Sequence, residues 1–486
     1  MSATTIQPFD LPEIRNALAL FLNRRELLQC VRVNKSWHAS FSPYIWSEIE
    51  FRRNESAIAL MVLEKHRHLV KKITSICSIP PEHTEIHFPN LCSLRFTVLP
   101  FATQELFLLI LDSHRQSITK LDLVIQDTTI LPELWELVLE LQGLKDLTVI
   151  ENLKGNSKPL PRFWEICPRL ESLVINEGFL PEAPYPDPST TAFLRIRRLR
   201  IELNPSKELG HMVNGQVDLL ACFPNLVTLE WIANGVHETV RIDGFSERMA
   251  SGTWPQLLHL SVSRCYASDE DLALIISNMS QVQTLGVPFA DFGPLALKAL
   301  RPHFRYLRDL NISYLPTSGS TIIEILTSCP HLRSFSADIL AAQDVLNSGP
   351  WVCKESLKSL ELFFEISPLC SEDEQQQQQL LILERLSELK NLERLDLTNK
   401  LSLETDLPKT LDLRLEKGLG RLATLKHIRE FTFYNTPQYM SYREIYWMVE
   451  YWEDLQKIGG NLCEDEAVAV KLQLLLFNNG IVSYCD

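Results

Sequence analysis

Residues 88–96 read FPNLCSLRF, and the pattern inside them, Leu91-x-x-Leu94-x-Phe96, returns along most of the chain. Its second anchor falls at Leu94, Leu121, Leu147, Leu173, Leu199, Leu229, Leu260, Leu285, Leu310, Phe335, Leu360, Leu395 and Phe431. The intervals are mostly 25 to 27 residues, widening to 30, 31, 35 and 36. One such hexamer carries little information. About thirteen at a near-constant period announce a repeat architecture.

The anchor and the position two residues after it share one face of a strand. The segments that follow read as helices over 103–113, 269–279, 320–329 and 375–389. A strand–helix unit of this size cannot bury its apolar face alone, but stacking on copies of itself does. The period lies in the leucine-rich-repeat range. The expected fold class is therefore α/β: a solenoid with a parallel inner sheet and outer helices, of about thirteen irregular repeats over 88–486. Cys-Pro-x-Leu or Phe-Pro-x-Leu precedes several strands, at Phe88, Cys167, Phe223 and Cys329, where the proline stops a helix and feeds an extended residue forward. Cys265 stands where a repeat subtype buries a cysteine or asparagine, and Asn152 and Asn234 hold the matching place. The longer intervals predict surface loops at 178–193 and 234–253. The acidic and glutamine-rich stretch 369–379 reads as a loop fraying into a helix, and 442–455 as the last outer helix, covering an open end.

Ahead of the repeats, residues 10–46 read DLPEIRNALALFLNRRELLQCVRVNKSWHASFSPYIW. This has the build of three short helices. Asp10 is placed as an N-cap and Pro12 near the first helical position. Ile14, Leu18, Phe21 and Leu22 recur at helical spacing. Asn23 and Glu26 are spaced as a capping box opening a second helix, with Leu27, Leu28 and Val31 inward. Val33 and Trp37 belong to a third, and Ser42-Pro43 breaks the run before Trp46. The organisation expected is a disordered tail (1–9), a helical domain (10–50), a linker helix and atypical first repeat (51–87), then the solenoid (88–486).

Leu11-Pro12, Leu27-Leu28, Val33 to Trp37, and Trp46 resemble an F-box in order and spacing. Two details depart from that family: the acid follows Pro12 without a spacer, and the basic residue, Lys35, stands two positions ahead of Trp37. The resemblance covers about 40 residues. A plain helical cap on the array, with Trp37 and Trp46 as its core, is the other reading of the same residues.

The net charge of -14 argues against a nucleic-acid or anionic-membrane surface. No apolar run is long enough to span a bilayer, and no basic-then-apolar signal opens the chain. The 11 cysteines are scattered, which suits a reduced, intracellular setting, cytoplasmic or nuclear. With 17 glycines there is no phosphate-cradling loop, and no Gly-x-Ser-x-Gly turn. His83 and His87 lie four apart with little helix to align them, and no Cys-x-x-Cys pair exists, so neither a metal site nor a cofactor is expected. Cys92, Cys167, Cys222 and Cys329 read as buried small apolar groups. No catalytic residues are expected, and the chain reads as a non-enzyme.

The resemblance implies a substrate-recognition subunit of an SCF-type cullin–RING ubiquitin ligase. The helices would dock a Skp-family adaptor through Leu11, Pro12, Ile14, Leu18, Leu27, Leu28, Val31 and Trp37, and the solenoid would hold a target protein. The residue between the two anchors of each strand faces the inner surface, which nominates Arg95, Asp122, Arg200, Glu230, Asn311, Glu361 and Asp396 for target contact. A leucine-rich scaffold or adaptor acting outside a ubiquitin ligase is the alternative.

Overall fold

A computed structural model describes residues 9, 11–51, 58–75, 83, 85–98, 104–126, 131–151, 159–176, 179–180, 186–203, 217–233, 240–241, 243–400 and 409–484. Asp10, Asn152 and Asn234 lie outside the described residues, as does the tail at 1–8. The chain divides into two compact units, Met1–Tyr185 with Phe193–Glu202, and Pro186–Ala192 with Leu203–Asp486.

The first unit opens with three helices, α1 (Pro12–Ala19), α2 (Arg24–Cys30) and α3 (Lys35–Trp46). Pro12 takes the first helical position behind Leu11, where a missing N–H costs nothing. The capping box forms: Glu26 N–H donates to Asn23 Oδ1 at 3.0 Å, and Asn23 N–H to Glu26 Oε2 at 2.7 Å. Asn34 caps α3 by accepting from Trp37 N–H at 2.8 Å. Pro43 does not break the run as expected but sits inside α3. Pro43 and Ala39, one turn before it, are both exposed residues, and a proline there removes one bond of the helix ladder.

Strands β1 (Glu48–Phe51), β2 (Lys72–Ser75), β3 (Ser93–Val98), β4 (Lys120–Ile125), β5 (Asp146–Glu151), β6 (Ser172–Asn176) and β7 (Arg198–Leu203) follow. They pair in sequence order, every pair parallel. The ladder thus begins at Glu48 and not at residue 88. The linker helix is Leu60–His66 and lies between β1 and β2. Ile49 and Ile73 are the anchors of these two early rungs. Isoleucine replaces leucine there, and the Leu-x-x-Leu template passes them over.

The second unit continues the strand–helix alternation. Its strands are β8 (Thr228–Ala233), β9 (Val240–Arg241), β10 (His259–Ser263), β11 (Cys265–Tyr266), β12 (Thr284–Gly286), β13 (Asp309–Asn311), β14 (Ser334–Ala341), β15 (Ser359–Glu365), β16 (Arg394–Asp396), β17 (Glu430–Thr432), β18 (Lys457–Gly459) and β19 (Val482–Tyr484). β8, β10 and β12 to β19 form one parallel ladder, with β9 and β11 a separate pair. This is the α/β leucine-rich-repeat architecture. The thirteen anchors fall into two series of register partners. Leu94, Leu121, Leu147, Leu173 and Leu199 are partners in one unit. Leu229, Leu260, Leu285, Leu310, Phe335, Leu360, Leu395 and Phe431 are partners in the other. All thirteen are buried to 2% exposure or less. At roughly 25 cal/mol per Å² of apolar surface, this repeated burial is the main stabilising term.

Three further expectations fail. The segment 234–253 is not only loop, because Asp243–Ala250 is helical and buries Phe245 and Met249. The glutamine stretch does not fray. Ser371 and Glu374 close a capping box on the helix Glu372–Ser387, and Gln375, Gln378 and Gln379 are buried. The aromatic helix Tyr442–Tyr451 is not last, since β18, a helix at Glu466–Asn478 and β19 come after it. The weak signal at β18 has a packing cause. The apolar position two residues after its anchor Ile458 is Gly460, whose φ of 117° and whose added Cβ, 2.8 Å from Phe433 Cδ2, leave no room for a larger residue. Cys265 is buried, as are Cys167, Cys222 and Cys329, while Cys92 is half-buried.

Candidate functional site

Two surfaces could carry function: the N-terminal helices and the strand faces.

The helices enclose a small core of Ala19, Leu27 and Phe41, with Leu18, Leu22, Cys30, Val31, Trp37, Tyr44 and Ile45 packed against it. Of the residues nominated for adaptor contact, Leu27 is therefore inside, at 6% exposure, and Leu18, Val31 and Trp37 are half-buried against it. Leu27 is withdrawn as a contact residue, since a side chain that fills the core cannot also reach a partner. Leu11, Pro12, Ile14 and Leu28 are exposed. So are Phe9, Leu20, Phe21 and Val33, with Phe21 at 86% and Leu20 at 75%. Sequence periodicity placed Phe21 on the inner face with Leu18. The helix ends at Ala19, so the 3.6-residue spacing no longer applies two residues later.

A second feature was missed. Arg15 is 3% exposed. Its guanidinium donates to Ser36 Oγ at 2.6 Å and Ser40 Oγ at 3.3 Å, and lies 5.7 Å from the Trp37 ring centre. It ties α1 to α3. The available signal was its position three residues before Leu18 on the apolar stripe. Trp46 is not part of this core. It stacks on His66 at 4.4 Å and 7°, and burial, with Lys65 beside it, pushes the His66 pKa down.

On the strands, the residues between anchors fall into two rows. Thr74, Arg95, Asp122, Thr148, Val174 and Arg200 are consecutive partners in the first unit. Glu230, Ser261, Gly286, Asn311, Ser336, Glu361, Asp396, Thr432 and Gly459 are consecutive partners in the second. Arg95 and Arg200 are exposed, and Asp122, Glu230, Asn311, Glu361 and Asp396 are half-exposed. Several already have intrachain duties. Asn311 Oδ1 accepts from Ser313 N–H at 3.1 Å and Asp396 Oδ1 from Thr398 N–H at 2.9 Å, so both close local turns. The small residues Ser261, Gly286, Asn311 and Ser336 leave a trough of about 290 Å³, walled by Asp309, Glu361 and Arg394.

Beside the trough stands a cluster that the repeat pattern did not reveal. Arg264, Phe289, Tyr314 and Asn435 all have positive φ. Each lies four residues after its anchor. That region is uncommon for side chains this bulky. Phe289 and Tyr314 stack at 4.4 Å. Lys400 Nζ lies 4.7 Å from the Tyr314 ring centre, donates to Ser336 Oγ at 3.3 Å and pairs with Glu361. Asp338, 3% exposed, accepts from Tyr314 N–H at 2.7 Å, and burial pushes its carboxyl pKa up.

Among the described residues no group of His, Cys, Asp and Glu could hold a metal ion, and no helix is long and apolar enough to cross a membrane. His83 Nε2 instead bonds Ile58 O at 2.8 Å, and His87 stacks on His114.

No protein-family profile matches the chain, and no curated protein matches it. Among solved structures, the chain is similar to Rad7 in the crystal structure of the Rad7 and Elc1 complex in yeast. The two share 13% identity with a TM-score of 0.40, over 74% of this chain and 89% of that one.

Proposed function

We propose that this chain is a substrate receptor of an SCF-type cullin–RING ubiquitin ligase. The N-terminal helices dock a Skp-family adaptor, and the strand faces hold a target protein. The observation that supports this best is the surplus of apolar surface at the front. Phe9, Leu11, Ile14, Leu20, Phe21, Leu28 and Val33 are all exposed, although the helices already enclose a core of their own. Exposed apolar side chains grouped in this way mark an interaction surface. The receptor does no chemistry itself. It raises the effective concentration of target lysines near the ubiquitin thioester.

Co-expression with a Skp-family adaptor tests the reading. The wild type co-purifies with it. Leu11→Ala combined with Pro12→Ala and Phe21→Ala loses the adaptor, because each apolar side chain withdrawn from water is worth roughly 1.5–3 kcal/mol. The same variant melts like the wild type, since all three side chains are exposed. Retained co-purification would count against docking at this surface.

A further inference from the structure

The residue two positions before each anchor forms a row along the rim of the ladder. Its backbone bonds pass from rung to rung: Gln283 N–H donates to Leu258 O, Arg308 to Gln283, Arg333 to Arg308, Lys358 to Arg333, Glu393 to Lys358 and Arg429 to Glu393. Side chains in this row are about one strand spacing apart, roughly 4.8 Å. Like charges on neighbouring strands destabilise a sheet, and most of the row avoids them. Lys145 pairs with Glu171 at 3.0 Å in the first unit. Lys358 pairs with Glu393 at 2.6 Å, and Arg429 lies 3.7 Å from the same Glu393.

Arg308 and Arg333 break this rule. They are adjacent in the row, and among the described residues neither meets an acidic side chain. Arg305 and His331, from the turns that lead into the same two strands, are likewise unpaired with acid. Arg305 lies over its neighbour Tyr306 at 4.6 Å, an aromatic platform that orients a cation. These four side chains, with Gln283, Tyr306 and Ser356, line a cavity of about 260 Å³. Ser356 Oγ holds the floor by donating to Leu332 O at 2.8 Å. In a chain of net charge -14, three guanidiniums and an imidazole gathered without a counter-charge leave an electrostatic vacancy for an anion.

We infer that this rim pocket binds a phosphate monoester carried on a protein segment, a phosphoserine or phosphothreonine. The dianion offers three acceptor oxygens, and planar guanidiniums grip such oxygens two at a time. The carrier follows from position. Arg308 and Arg333 stand just before Asn311 and Ser336 of the inner row, so a segment lying on the strand faces reaches the pocket. The unpaired basic surface is confined to two rungs, with Gln283 on one side and Lys358, already paired with Glu393, on the other, and this is too short for a nucleic-acid track.

The test uses the full chain and two fluorescent degenerate peptide pools, one with a central phosphoserine and one with serine. The phosphoserine pool is expected to bind at least about tenfold more tightly. Arg308→Gln with Arg333→Gln abolishes that preference, while Arg333→Lys, which keeps the charge and loses the fork, retains part of it. In low-salt buffer, inorganic phosphate raises the wild-type melting midpoint more than that of the double variant. Equal binding of the two pools, a preference that survives in the double variant, or tighter binding of single-stranded DNA or phosphatidylserine vesicles would each overturn the inference. Adaptor co-purification, measured in parallel, is expected to be unchanged by the rim variants, so a failed pocket and a failed adaptor surface give different results.

Discussion

The guanidinium of Arg15 donates to Ser36 Oγ across 2.6 Å, from the inner face of the first helix to the start of the third. An arginine that is 3% exposed, bonded to two hydroxyls and lying against Trp37, makes the three helices a unit. Hydrogen bonds to a charged group contribute about 1.5–3 kcal/mol, so Arg15→Ala should cost about 2 kcal/mol and loosen α1. Amide exchange checks this: protection falls in Pro12–Ala19 and holds in the strands. A loss spread evenly over the chain would contradict it.

Gln379 joins two segments that are distant in sequence. Its amide donates to Asp412 O at 3.0 Å and Lys417 O at 2.6 Å, and its carbonyl accepts from Asp412 N–H at 2.9 Å. Gln379→Ala leaves those backbone groups without their partner, at about 1–3 kcal/mol each. Urea unfolding should show a loss of about 3 kcal/mol or more. The exposed neighbour supplies the control, with Gln377→Ala changing stability by no more than about 0.5 kcal/mol.

Acid should destabilise the protein before its carboxylates protonate. His114 Nε2 accepts from Phe88 N–H at 3.0 Å while Nδ1 meets Ile110 O at 2.8 Å, an arrangement that requires the neutral ring. His303 Nδ1 likewise accepts from Val282 N–H at 3.3 Å. Burial pushes both pKa values down from the ordinary 6.5. The unfolded chain therefore binds these protons first. Stability is full above about pH 6.5 and falls as pH drops below it toward the lowered folded values. Urea midpoints at pH 7.5 and 5.5 measure the difference, and His114→Gln, which cannot take up a proton, should shrink it. A midpoint unchanged between the two pH values would show that the folded protein protonates these rings as readily as the unfolded chain does.

The buried thiols should be inert. Burial pushes Cys222 up to about 11, and Cys329 and Cys353 up to about 12. Since the thiolate is the reactive form, these three should resist iodoacetamide at pH 8 in the native state. Among the described cysteines, half-buried Cys30, Cys92 and Cys370 should label first. Mass spectrometry of the digested protein reads the order directly.

Much of the backbone plan was legible in the chain itself. The thirteen anchors predicted from spacing are register partners within their units, because a buried position recurring once per repeat is a local property that stacking preserves. The Asn23–Glu26 capping box is equally local. The end rungs at Ile49, Ile73, Ile458 and Ser483 escaped, because terminal repeats need not keep leucine where fewer neighbours pack. The surfaces were harder to read. Whether Leu27 or Phe21 faces outward depends on where a helix stops. That Gln379 is an internal strut depends on the chain returning at Asp412. That Arg308 stands beside Arg333 is invisible at a separation of 25 residues until the ladder register is known. On the strands, sequence periodicity determined which side chains are buried, since that burial follows from one strand at a time. Which exposed side chains meet was decided by tertiary structure alone, because those neighbours come from different repeats.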